Sequence, residues 1–178
     1  MTQSLRLFAK YTTATNEKLG ALLAAMDPAE YVKDRTAYYK SIQGLHLHLL
    51  TTTKFLQTLI RTNSDNKYLV SPLTEEAFEL KAGTAAEACR LQGEYDRNFL
   101  AFTSVLDEKD VTHPKTRRTM RSGRTFLLSL SDLLTQYMIH TTHHRGQLSQ
   151  LLDELGLDHD FGSVWLFAEE VAPEERHT

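Results

Sequence analysis

An apolar series in steps of three and four runs through Phe126, Leu130, Leu133 and Tyr137, breaks off, and resumes at Leu148, Leu151 and Leu155. That spacing describes one face of a long helix, expected over residues 125–155 and ended by Gly156. His140 and His144 occupy the two places where the series would otherwise continue. Four residues apart, they project from the same side, one turn from each other. His143 instead lines up with Gln136, Gln147 and Gln150 on the polar side. Such a chain buries two imidazoles in mid-core, and each needs partners for both ring nitrogens. A shared metal ion with an acceptor behind each ring supplies them; two hydrogen-bonded core histidines without a metal are the plainer reading.

Three further helical stretches are expected. The first covers about 5–26, with Leu5, Phe8, Thr12, Leu19, Leu22 and Met26 on one side and Asp27-Pro28 at its end. The second runs over about 40–62 and stops in the polar run Asn63-Ser64-Asp65-Asn66. The third follows Ser71-Pro72, with Thr74 as its cap, carries Phe78, Ala82, Ala85, Cys89, Phe99 and Phe102 inward, and ends near Asp107. Residues 111–124 are basic and contain His113-Pro114 and Gly123, which fits an irregular crossover or a short hairpin. Phe161, Trp165 and Phe167 make the segment after the last helix apolar enough to pack back on the body. Four amphipathic helices without a repeat predict an all-α four-helix bundle in one domain over 1–178, with a long crossover connection and a short C-terminal segment packed on it.

Composition narrows the function classes. A net charge of −3 with 24% charged residues offers no electrostatic footprint for nucleic acid and no polybasic membrane patch. Gly and Pro number only 8 and 4, in keeping with helices. The single cysteine, Cys89, is expected to pack in the core. Lys10, Glu17 and Lys18 interrupt the first segment, so no secretory apolar region is read there, and no run reaches membrane-spanning length. The expectation is a cytoplasmic protein with a small-molecule partner and neither nucleic acid nor membrane.

An open metal site commonly uses three protein ligands, so a third donor is needed. His177 and His159 are expected to be solvated and His113 to be a loop residue. The second helix offers His46 and His48. His48 keeps to the apolar side with Leu45, Thr52, Phe55 and Leu59, whereas His46 lies nearer the polar boundary beside Gln57. Periodicity favours His48 and leaves His46 in competition.

Three stretches resemble the DinB/YfiT-like superfamily of metal-binding four-helix bundles. Tyr11-Thr12-Thr13-Ala14-Thr15-Asn16 is similar to that family's Tyr-Asn-x-x-x-Asn opening. Ser41-Ile42-Gln43-Gly44-Leu45-His46-Leu47-His48 resembles its Ser-Ile-x-x-x-Leu-x-His stretch. His140-Thr141-Thr142-His143-His144-Arg145-Gly146-Gln147 matches its His-x-x-His-His-Arg-Gly-Gln signature, the most specific of the three. In that register the resemblance implies His48, His140 and His144 as metal ligands. Thr53 stands where many relatives carry an aspartate, so if that aspartate orients a ligand, the support is weaker here or comes from elsewhere.

The resemblance further implies a divalent ion with a coordination position open to water or substrate. Zinc is the first choice for imidazole donors and nickel the second. A di-iron bundle would need two Glu-x-x-His motifs, which the four helices lack. Characterised branches of the superfamily are transferases and isomerases of low-molecular-weight thiols such as bacillithiol, mycothiol or glutathione. The expected partners are then a thiol and an electrophile, with metal-dependent hydrolysis as a second enzymatic option and a homodimer as a plausible assembly. The alternative is a non-catalytic stress-response or metal-binding module whose ion is structural. Arg145 is a candidate for binding a substrate carboxylate, with surface pairing as the competing role, and Gln147 either bonds across to a neighbour or is solvated. Tyr38, Tyr39 and Trp165 are candidates for a pocket wall. Gly146 in mid-helix suggests that another helix approaches closely there.

Overall fold

The structure is a computed structural model that describes residues 2–62, 68–70, 80, 82–112, 116–119 and 123–168. In chain order it has α1 (Thr2–Ala25), α2 (Pro28–Val32), α3 (Ile42–Leu59), β1 (Ile60–Thr62), β2 (Tyr68–Val70), α4 (Ala85–Val105), α5 (Glu108–Thr112), β3 (Thr116–Thr119), β4 (Thr125–Leu128), α6 (Leu130–Glu154) and a 3-10 turn, Val164–Phe167. The four long helices α1, α3, α4 and α6 form an all-α bundle, and the strands make two separate antiparallel ribbons, β1 with β2 and β3 with β4.

Two apolar clusters define the ends of the bundle. At one end Leu5, Phe8 and Ala9 of α1 meet Phe99 of α4, Leu106, and Leu130, Leu133, Leu134 and Tyr137 of α6. At the other, Leu19 and Leu23 of α1 meet Ile42, Leu45 and Leu49 of α3 and Leu148 and Leu152 of α6. The start of α3 therefore lies at the same end as the finish of α1, and Ala85 and Cys89, at the start of α4, pack there too. Helices α3 and α4 run in the same direction. Of the two forms expected for residues 111–124, the hairpin is found, made by β3 and β4.

Local chemistry sets the helix boundaries, and several differ from the sequence expectation. Helix α6 begins at Leu130, not at Thr125, because Ser129 and Asp132 form a reciprocal capping box: the Ser129 hydroxyl accepts from the Asp132 N–H, and the Asp132 carboxylate accepts from the Ser129 N–H. Thr125–Leu128, rich in β-formers, pairs with Thr116–Thr119 instead, with Gly123 left-handed at φ 77° nearby. The finish is as expected: Gly156 adopts φ 68° and the Leu157 N–H reaches back to the Leu152 carbonyl at 3.0 Å. Helix α3 ends at Leu59, where the chain enters β1, rather than at 62. The cap expected at Thr74 lies outside the described residues; the described helix α4 starts after Thr84, whose hydroxyl accepts from the Glu87 N–H at 3.2 Å.

Gly146 is exposed, and a Cβ built on it would meet nothing within 4 Å. The close helix approach expected there is absent among the described residues. Gly146→Ala is therefore expected to raise stability by about 1 kcal/mol through helix propensity alone, or roughly 2–4 °C in Tm, measured by thermal denaturation.

Between the apolar ends lies a layer of polar side chains at mid-height. Helix α1 contributes Thr12, Thr15 and Asn16, α4 Gln92 and Asp96, α3 Thr53, and α6 Thr141, His144 and Arg145; all but Asn16 are buried. The candidate site is built on this layer.

Candidate metal centre

Helix α3 presents His48 and helix α6 presents His140 and His144 to a common point, where the ligand atoms of all three lie within 4.8 Å of one another. The Nε2 atoms of His48 and His140 face each other at 2.9 Å. Ring centroids are 4.8 Å apart for His48 and His140, 4.6 Å for His48 and His144, and 4.3 Å for His140 and His144. Three nitrogens on a tetrahedral zinc ion would sit roughly 3.3 Å apart, given Zn–N bonds of about 2.0–2.1 Å. The cluster's own spacing is of that order, so the group could hold a metal ion.

The tautomer of His144 and the lowered pKa values of all three rings suit ligation. Gln147 Oε1 lies 2.6 Å from His144 Nδ1, so that nitrogen carries the proton and Nε2 keeps its lone pair. Burial, reinforced by the neighbouring imidazoles, lowers the pKa of His140 to about 4 and holds those of His48 and His144 below the ordinary value. Neutral imidazole is the form that binds a metal. Nδ1 of His140 is buried without a hydrogen-bond partner among the described residues. The Thr53 hydroxyl gives no histidine an acceptor, being engaged with the Leu49 carbonyl at 3.1 Å and the Tyr137 hydroxyl at 3.3 Å. The acceptor behind a ligand comes instead from Gln147, within the α6 signature.

His46 does not join the cluster. It is buried, and its Nδ1 lies 3.0 Å from the Tyr31 hydroxyl. It also lines a small cavity with Asn16, Cys89, Gln92, Thr53 and Thr141. The expected boundary position is thus a buried core histidine whose Nδ1 is paired with Tyr31. His143 is exposed, as its alignment with the polar face required. His113 and His177 lie outside the described residues. His159 is not solvated: its Nδ1 is 2.9 Å from the Leu157 carbonyl and its Nε2 is 2.6 Å from the Ser149 hydroxyl, which ties the segment after α6 to the helix. Cys89 is half-buried, with its thiol 3.4 Å from the Gly20 carbonyl.

Arg145 is only 3% exposed, which rules out surface pairing. Its guanidinium lies over the Tyr11 ring, 4.8 Å from the centroid, and both Nη atoms are buried without a hydrogen-bond partner among the described residues. The nearby carboxylate is Asp96, which accepts from Asn16 Nδ2 at 2.9 Å and Gln92 Nε2 at 2.8 Å. Sequence reasoning passed over Asp96; its signal was a charge on the apolar face of α4, one turn from Gln92. Burial raises the Asp96 pKa to about 7, against the lowering pull of its two amide donors and of Arg145.

A carboxyl whose folded pKa exceeds its unfolded value of 3.8 keeps a proton that the unfolded chain releases, so its contribution to stability falls as pH rises from about 4 to about 7. Asp96→Asn removes this dependence. Relative to the parent, the variant is expected to gain up to about 4 kcal/mol between pH 4 and pH 7.5, read from denaturant unfolding at each pH. A constant difference across that range would refute the protonated carboxyl.

With this geometry in hand, the model of the DinB family matches residues 1–169. The chain belongs to the DinB family. A comparison with the curated proteins finds no match. Family membership and the three-histidine group agree with a metal-binding DinB-like protein. No helix among the described residues is long and apolar enough to cross a membrane.

Proposed function

We propose that this DinB protein binds one divalent ion through Nε2 of His48, His140 and His144 and uses it as a metal-dependent enzyme on a small molecule. The observation that carries the reading is the convergence of three neutral imidazoles on one point, with the tautomer of His144 set by Gln147. Zinc suits the donor set best and nickel second, since no carboxylate is among the converging ligand atoms. A divalent ion held by three imidazoles lowers the pKa of a bound water to about 7 or keeps a bound thiol as thiolate.

The protein's own part is positional. Helix α6 fixes two rings one turn apart, α3 supplies the third, and Gln147 holds one of them in the lone-pair-out tautomer. The preferred reaction is transfer of a low-molecular-weight thiol: sulfur bonds to an electrophilic carbon, the thiol proton leaves to solvent, and in a substitution the leaving group departs with its electron pair. Arg145 would receive a substrate carboxylate, since its two Nη atoms have no hydrogen-bond partner among the described residues; reaching them requires Tyr11 to move.

The test is conjugation of glutathione, bacillithiol and mycothiol to a model electrophile by the metal-loaded protein, before and after chelation. Thiol transfer that is lost on chelation and restored by zinc or nickel supports the reading. A loaded protein that melts higher but transfers no thiol and hydrolyses no ester supports an ion that only braces the bundle.

A further inference from the structure

The solvent side of the three-histidine group is walled by residues that the metal-binding reading does not use. Tyr39, in the connection between α2 and α3, stacks on His48 with ring centroids 4.5 Å apart and planes inclined by 27°. The same ring meets His144 edge-on at 5.3 Å. One aromatic side chain therefore touches two of the three histidines, on helices that come from opposite ends of the sequence.

The connection is shaped to hold it there. The Arg35 N–H donates to the Lys40 carbonyl at 2.6 Å and the Lys40 N–H to the Ala37 carbonyl at 2.9 Å, closing the chain on itself. Thr36 and Lys40 adopt left-handed backbone at φ 55° and 67°, a conformation unfavourable to residues with a Cβ. The Tyr39 carbonyl then lies so close to Gly44 that a Cβ there would come within 2.0 Å of it. A loop with no further task would not need two strained residues and an obligatory glycine.

Tyr38 is turned the other way. It is 90% exposed, and its ring meets Tyr39 edge-on at 4.8 Å and 81°. A ligand atom placed at the histidines would thus have the rest of its molecule leave past one aromatic ring bound to the site and a second ring open to solvent.

We infer that Tyr39 and Tyr38 form an aromatic platform that determines specificity, so the site prefers small molecules in which a metal-binding donor is attached to a planar aromatic group. Stacking or edge contact with offset rings supplies the preference, and the bare alkyl analogue lacks it. Tyr39 is a positioning and specificity residue, not a ligand.

This inference rests on the proposed metal site, and the experiment separates the two. Cobalt(II) is loaded into the full chain, and its visible absorption is titrated with benzohydroxamate and with acetohydroxamate, which share one donor group and differ in the ring. The wild-type protein is expected to bind the aromatic ligand at least tenfold more tightly than the alkyl one. Tyr38→Ala, at a solvent-exposed position, is expected to cut that ratio at least threefold; Tyr39→Leu is expected to abolish the preference. Equal affinities in a cobalt-loaded wild type, or a Tyr38→Ala ratio equal to that of wild type, would overturn the platform and leave the metal site standing. Failure of cobalt to bind, or binding indifferent to His140→Ala, would sink both.

Discussion

Loss of stoichiometric zinc is the expected result for His48→Ala, His140→Ala and His144→Ala, whereas His46→Gln and His143→Ala keep close to one equivalent. The reason is placement. The first three present ligand atoms within 4.8 Å of one another; His143 is exposed, and His46 has Nδ1 committed to Tyr31 of α2. Removing one of three imidazoles leaves an ion with two protein ligands, and a site of that kind does not retain metal through dialysis against a weak chelator. Gln147→Ala is expected to act more mildly, weakening binding on the order of 10–100-fold, because it frees the tautomer of His144 without removing a donor. Elemental analysis after dialysis gives the stoichiometries, and competition with a chromophoric chelator gives the affinities. Equal zinc loss from His46→Gln or His143→Ala would refute the assignment.

The convergence of His140 and His144 on one side of α6 was readable in the sequence because helical spacing is a strong constraint. His140 and His144 interrupt an apolar series at the positions that face inward, and His143 falls out of line by one residue. His48 was harder. On α3, His46 and His48 both border apolar residues, and a two-residue step on a helix sends side chains to nearly opposite sides. Periodicity cannot say which of two such sides meets His140 and His144; only packing of the bundle does. Within α6 the true inward face also includes Thr141 and Arg145, so His140 stands at its edge rather than its centre.

The polar layer was less legible. Thr12, Thr15, Gln92, Asp96, Thr141 and Arg145 sit at core positions of three helices, yet each alone reads as an ordinary break in an apolar pattern. Their meaning is collective and depends on registering the helices against one another, which a one-dimensional pattern does not contain. The N-terminal stretch illustrates this: Tyr11 and Asn16 looked like a weak likeness, but one lies under Arg145 and the other donates to Asp96. Boundaries failed for a different reason. At residue 125 the apolar pattern suits either helix or strand, and the cap at Ser129 decides; the Thr84-Ala85-Ala86-Glu87 start of the described helix α4 was passed over for Thr74, which lies outside the described residues.

Gly44→Ala is expected to destabilise the protein by about 3 kcal/mol or more, a fall in Tm of roughly 6–12 °C, although the same exchange in an exposed helix gains about 1 kcal/mol. The added methyl would stand 2.0 Å from the Tyr39 carbonyl oxygen and 3.2 Å from its carbon. Both atoms are backbone, so no side-chain rotation relieves the contact. The carbonyl is held from the other side as well, since the Ser41 N–H donates to it at 2.8 Å and the Ser41 hydroxyl accepts from the Gly44 N–H at 3.0 Å. Either the start of α3 or the 35–40 turn must yield. If the turn yields, the Tyr39 ring leaves His48, and the cobalt(II) spectrum of the variant should change while metal stoichiometry persists, because no histidine is displaced. If α3 yields, stoichiometry falls along with stability. Gly146→Ala shares the residue exchange and lacks the contact, so the opposite signs of the two stability changes isolate the clash from propensity. A Gly44→Ala variant as stable as its parent would mean that the turn is free to move, and with it the aromatic wall over the histidines.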